Sequence, residues 1–199
     1  MADKKLNIPV LLGTTRQARQ SEHVAKWLMT RIALRDDMEA RLFDVRDFHL
    51  PNDDYGQEIK GQFPEWRDAI IAADGLLIVT PEYNHGPPGP LKSVLDLLLR
   101  EYVHKPVAFA GVSKTSWGGV RAIEALIHPV RELGLTACFT DVNFPRVQEL
   151  FNEAGELQDP AYREFVANAY TELIWMATVM KYGREHIASQ YHLAAPAAA

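Results

Sequence analysis

Short apolar runs and stretches of helical periodicity take turns along the chain. Ile8 to Leu12 reads as a buried strand, followed by a polar turn from Gly13 to Ser21. Val24, Ala25, Leu28, Ile32 and Ala33 then recur on one helical face. Ala40 to Val45 alternates as a partly covered edge strand does. A helix is expected from Pro64 to Ala73, because proline is tolerated in a first helical turn. Gly75 to Thr80 (GLLIVT) is the most strand-like run. Leu91 to Arg100 reads as a helix with Leu91, Val94, Leu95 and Leu98 on one face. Pro106 to Val112 is a fourth strand, Val120 to Leu133 a helix stopped by Gly134, and Thr136 to Val142 a fifth strand. A last helix is expected from Pro160 to Tyr182.

Strands that are apolar throughout belong to a parallel sheet covered on both faces. Five of them alternating with helices predict an α/β, flavodoxin-like three-layer sandwich with a five-stranded parallel sheet in the order 2-1-3-4-5. The 199 residues fit one domain, 1–190, followed by a low-complexity tail, 191–199, expected to fray. Two long connections, Arg46 to Gln62 and Asn143 to Asp159, are candidates for functional or interfacial loops.

Composition narrows the function. A net charge of -5 lacks the basic footprint of a nucleic-acid binder. The single cysteine, Cys138, excludes an internal disulfide and a thiolate metal cluster, and it points to a reducing compartment. The opening residues carry neither a signal peptide nor a membrane span, so a cytoplasmic protein is expected.

In an open α/β sheet, ligands bind beyond the carboxyl ends of the strands near the switch in strand order. The turns there are those after strands one, three and four. The first, Gly13 to His23, sets Thr14, Thr15, Arg16 and Ser21 before a helix start, where free N–H groups and the dipole favour an anion. It matches neither a Walker A loop nor G-x-G-x-x-G, since Thr15 holds the second glycine position. The plainer alternative makes Ser21 an N-cap, the arginines a solvated face and His23 a surface histidine. The second turn, Thr80 to Ser93, has four prolines and two glycines and is stiff. Pro81, Tyr83 and Asn84 there suit a flat heteroaromatic ligand, unless the turn only redirects the chain. In the third, Gly111 to Arg121, Gly118 and Gly119 let backbone approach a ligand and Ser113 and Ser116 offer hydroxyls. Trp117 fits a ligand lid, a subunit contact or a packing residue.

A serine hydrolase is disfavoured because Thr115 replaces the last glycine of a nucleophile elbow. The seven histidines show no metal-ligand spacing. Cys138 reads as inert core, and Trp66, Trp175 and Met176 as packing.

Gly13-Thr-Thr-Arg16 with Ser21, Thr80-Pro-Glu-Tyr-Asn84 with Pro88-Gly89 and Leu91-Lys92-Ser93, and Gly118-Gly119 with Arg121 resemble the NADPH-dependent FMN reductase family. These are flavodoxin-like proteins that include quinone, azo-dye and chromate reductases. Asp44 to Pro51 resembles that family's segment after strand two, and the likeness spans Ile8 to Met180. It implies that Thr14, Arg16, Ser21 and His23 hold the FMN phosphate. It further implies that Pro81, Glu82, Tyr83 and Asn84 line the isoalloxazine, with Ser113, Gly118 and Gly119 on its pyrimidine side. The cofactors implied are FMN and NADPH, the partner a small-molecule electron acceptor, and the assembly a homodimer or homotetramer. Flavin carries the redox chemistry, so no catalytic side chain, nucleic-acid partner or membrane is expected. A flavodoxin-type carrier without NAD(P)H oxidation is the main alternative, and a flavin-responsive regulator a third. Such carriers use hydroxyl-rich phosphate loops with few basic groups, so Arg16 and Arg19 favour the reductase.

Overall fold

Parallel strands need crossovers between them, and here helices supply most of them. The computed structural model describes residues 5–51, 54 and 56–191. In chain order its elements are β1 (Leu6–Asn7), β2 (Val10–Leu12), α1 (Ser21–Ala33), β3 (Met38–Glu39), β4 (Leu42–Asp44), α2 (Pro64–Ala72), β5 (Leu76–Pro81), α3 (Gly89–Leu95), β6 (Lys105–Val112), α4 (Val120–Glu132), β7 (Leu135–Ala137), β8 (Val142–Phe144), α5 (Val147–Leu150) and α6 (Ala161–His186). The main sheet runs β4-β2-β5-β6-β7, with β8 also paired to β6 and all pairings parallel.

The sheet is therefore six-stranded rather than five-stranded, although the spatial order 2-1-3-4-5 holds if the outer run counts as one strand. Val107 of β6 pairs with Ala137 and Ala110 with Val142, so the outer strand spends more residues than β6 over the same length. The surplus bulges out, which splits the run and leaves Phe139 82% exposed. At the opposite side β1 and β3 form their own parallel pair.

Two further boundaries differ. The helix expected to reach Arg100 ends at Leu95, because Leu97 and Leu98 bond back only three residues in tighter turns while staying buried. The last helix runs past Tyr182 to His186, whose ring stacks on Tyr182 at 4.1 Å. The tail from His192 onward lies outside the described residues.

Side-chain alternation divides β2 between two cores. Val10 and Leu12 face α1 and α6 with Leu28, Val166 and Leu173, whereas Leu11 faces α2, α3 and α4 with Trp66, Leu91 and Leu126. Trp66 and Cys138 are buried as expected, and burial pushes the Cys138 thiol up to about 12. Trp175 is not a packing residue: it faces outward on α6. No helix among the described residues is long and apolar enough to cross a membrane.

Candidate functional site

β2, β5 and β6 end side by side, which gathers the three unusual turns on one rim. The first turn docks through Gly13 N–H on the Val79 carbonyl at 2.8 Å. Thr14 is buried, and its hydroxyl bonds the Tyr83 hydroxyl at 2.8 Å while accepting from Arg16 N–H at 3.3 Å. The first and second turns are thus tied directly together.

The two arginines of this turn go separate ways. Arg16 is exposed, with its guanidinium 5.9 Å from the Tyr83 ring centroid. Arg19 points inward, its side chain only 2% exposed, and donates to the Thr14 carbonyl and to both oxygens of Asp44. Burial works against ionisation of Asp44, but the bonds from Arg19 and from Arg46 N–H outweigh it and hold the carboxyl below its ordinary range. Arg19 is therefore a neutralised internal strut, not part of a basic phosphate-facing pair as its sequence position suggests. Arg46 adds bonds to the Thr15 carbonyl at 3.3 Å and to the Arg16 carbonyl.

Ser21 opens α1 but does not cap it. The cap position is Gln20, and no side-chain cap bond forms. The Ser21 hydroxyl is buried with no partner among the described residues, an arrangement that costs about 1–3 kcal/mol when left unfilled. The ring of His23, two residues on, lies 5.9 Å from that of Phe151 and lines a groove of ≈ 680 Å³ with Trp27, Gly155 and Arg163.

The second turn is a two-residue hairpin. Tyr83 and Gly86 exchange backbone bonds at 2.9 and 3.1 Å, and Asn84 and His85 between them take φ of 50° and 68°. Two consecutive left-handed residues of this kind make a type I′ turn, a conformation that asparagine and histidine adopt more readily than most other side chains. Glu82 N–H anchors the turn on the Val112 carbonyl at 3.0 Å. Thr14, Arg16, Glu82, Tyr83, Asn84 and Pro88 are among the walls of a cleft of ≈ 560 Å³.

The third turn closes from the side. Gly119 has φ 88°, and a Cβ there would stand 2.5 Å from Val112 N, so only glycine fits. Arg121, in the first turn of α4, pairs with Glu82 at 2.5 Å, donates to His85 Nε2 at 2.8 Å and lies 4.9 Å over the Trp117 ring. Trp117 is 57% exposed, which removes the packing alternative. Glu82 Oε2 and Arg121 Nε are buried without partners among the described residues. The Ser113 hydroxyl donates to the Thr115 carbonyl at 2.9 Å, so it is engaged inside its own loop.

The structure thus joins Thr14, Arg16, Glu82, Tyr83 and Asn84 in one cleft. Ser21 and Pro81 are buried at the starting residue of α1 and the last of β5, and Gly118 and Gly119 buttress the third turn. Sequence reasoning missed the Arg19–Asp44 strut and the Glu82–Arg121–His85 cluster. The one signal for the strut was Asp44 at the end of a strand neighbouring the first.

A family model described as NADPH-dependent FMN reductase matches residues 6–149. The NADPH azoreductase of Bacillus sp. (strain OY1-2) is 32% identical over 61% of this chain and 66% of its own length. A quinone reductase of Pseudomonas putida is 29% identical over 77% of this chain and 85% of its own. Among solved structures, FerB, a flavoenzyme NAD(P)H:(acceptor) oxidoreductase from Paracoccus denitrificans, superposes with a TM-score of 0.72 at 20% identity, covering 88% of this chain and 98% of that one. That likeness speaks to the fold.

Proposed function

The chain belongs to the NADPH-dependent FMN reductase family, and from that membership we propose that its rim cleft holds FMN and that it is an NAD(P)H-dependent oxidoreductase serving a small-molecule acceptor. FMN, when bound, accepts a hydride from NAD(P)H and passes electrons on to the acceptor. The observation that carries the reading is the Ser21 hydroxyl, buried and unpartnered at the start of a 13-residue helix. A phosphate supplies what that hydroxyl lacks, and it suits the positive end of the helix dipole.

The rest of the donor set fits a phosphorylated flavin. Thr14 offers a second hydroxyl, and Arg16 stands exposed at the mouth to balance the phosphate charge. Pro81, Tyr83 and Asn84 provide a flat wall with polar edges for a tricyclic ring, and Glu82 holds that wall through Arg121. The Gly118–Gly119 backbone at the start of α4 lies where N–H groups and the helix dipole favour negative charge on the pyrimidine side. His23 is left out of the phosphate contacts, since its ring serves the neighbouring groove. Ser113 supports the third turn from within. No side-chain acid, base or nucleophile is assigned.

The finer reading has NADPH as donor, a quinone, flavin, azo compound or similar planar molecule as acceptor, a homodimer or homotetramer as assembly and the cytoplasm as location. Family membership weighs against the carrier alternative. The test is a visible spectrum of the purified protein, followed by NADPH and a quinone in the same cuvette. A flavin spectrum with quinone-dependent NADPH oxidation supports the proposal. A colourless protein that FMN does not restore overturns it, and flavin without NADPH oxidation restores the carrier reading.

A further inference from the structure

In the phosphate turn, the carbonyls of Thr14, Thr15 and Arg16 all have arginine donors. Arg19 takes the first, and Arg46 takes the next two. Arg19 is buried and Arg46 half-exposed, and the two are joined through Asp44, which accepts from the two terminal guanidinium nitrogens of Arg19 and from Arg46 N–H. A peptide unit whose carbonyl is pulled one way presents the N–H of the next residue the other way. Three consecutive carbonyls held by these arginines therefore turn the N–H groups of the following residues away from them, except the Arg16 N–H that bonds the Thr14 hydroxyl.

We infer that Arg19, fixed by Asp44 and assisted by Arg46, is the positioning residue that makes this turn an anion receptor, and so makes the site selective for a phosphorylated flavin over its unphosphorylated nucleoside. Arg19 touches no ligand in this role; it acts through the backbone. The inference rests on the proposed FMN reading and adds the origin of its phosphate selectivity. The chemistry calls for arginine in particular. One planar group must span a carbonyl and both oxygens of a carboxylate, and a lysine ammonium is a point donor that cannot reproduce that fork. Glu22, 3.4 Å from Arg19 Nε and 2.8 Å from Lys26, completes the neutralisation. The Arg19–Asp44 strut thus adds geometry to the turn without adding net charge, whereas Arg46, 3.9 Å from Glu22, brings a charge of its own. Selectivity through this route differs from direct charge attraction by Arg16, and the two are separable.

The test compares FMN with riboflavin, which differ only in the phosphate, by titrating the full chain and following flavin fluorescence. Wild type is expected to favour FMN strongly. In Arg19→Met/Asp44→Leu, which removes both charges together so that neither is left buried alone, FMN affinity falls at least tenfold while riboflavin affinity changes less than twofold. Arg19→Lys does not rescue FMN binding. Arg46→Gln, at a half-exposed position that folding tolerates, gives a smaller loss of about threefold that is again confined to FMN. Variants that keep the wild-type preference for FMN overturn the inference alone. So do variants that lose both flavins in equal proportion, since a merely structural strut would do that. A wild-type chain that binds neither flavin overturns the proposed function itself.

Discussion

The charged groups buried at one end of the sheet are all bonded, whereas the other end leaves atoms of its charged and hydroxyl groups unpartnered among the described residues. At the strand N-termini, Lys105 Nζ donates to the carbonyls of Ile70, Ile71 and Glu101, the last two at 3.1 and 2.9 Å. Asp74 nearby accepts from Asn7 N–H, Lys181 and Arg184, and Glu101 from Lys60 and Leu99 N–H. At the C-termini, Ser21 Oγ, Glu82 Oε2 and Arg121 Nε are buried and unpartnered among the described residues, and Asn84 and His85 hold left-handed backbone. One end uses its charged groups to clasp elements together. The other keeps some in reserve, at a cost in stability that a ligand can repay.

The contrast breaks most completely at Gly119. Any Cβ there meets the Val112 and Gly111 backbone, at 2.5 and 2.7 Å, on a left-handed φ. Gly119→Val is expected to abolish flavin retention, with circular dichroism checking that the remaining sheet persists. At the other end Lys105→Met removes a donor from the carbonyls of Ile70, Ile71 and Glu101, a loss of about 1–3 kcal/mol in denaturant unfolding, with no change in FMN affinity. This variant also carries a pH signature. Burial pulls the Lys105 ammonium down to about 7, with Arg184 adding repulsion. Between that value and its ordinary 10.5 the unfolded chain binds the extra proton, so wild-type stability gains a rising contribution across this window. Lys105→Met removes the rise.

Ser21→Ala sharpens the contrast from the rim. Removing a hydroxyl that finds no protein partner leaves the ligand-free chain as stable or more so. FMN binding nevertheless weakens by tenfold or more, the loss of a bond of about 1.5–3 kcal/mol to a charged group. Isothermal titration and thermal melts of the same preparation read both effects. Smallest is Arg16→Ala. An exposed guanidinium contributes about 1 kcal/mol or less, so FMN affinity falls a few-fold, and the loss shrinks as salt is raised.

Much of this was legible in the chain. Short continuous apolar runs such as Gly75 to Thr80, closed by Pro81, read as strands covered on both faces, and their alternation with helices pointed to the layer order. The three rim turns stood out because Gly118, Gly119 and the proline cluster after Thr80 have strict backbone demands. The split of the outer strand was not legible, because a bulge between Ala137 and Val142 depends on register against β6, which local periodicity does not encode. The direction of Arg19 was equally hidden. Arg16 and Arg19 look alike in a polar turn, and only the arrival of Asp44 from 25 residues away turns one of them inward. His23 was equally hard to read: it follows the first turn in sequence, and only the fold shows its ring packed against Phe151 and Gly155.

The most direct measurement is a crystal structure of the chain with FMN. The account predicts the phosphate at the start of α1 within hydrogen-bonding distance of the Ser21 hydroxyl, with the ring against Tyr83 and Asn84. A phosphate bound elsewhere, with Ser21 still unpartnered, would contradict it.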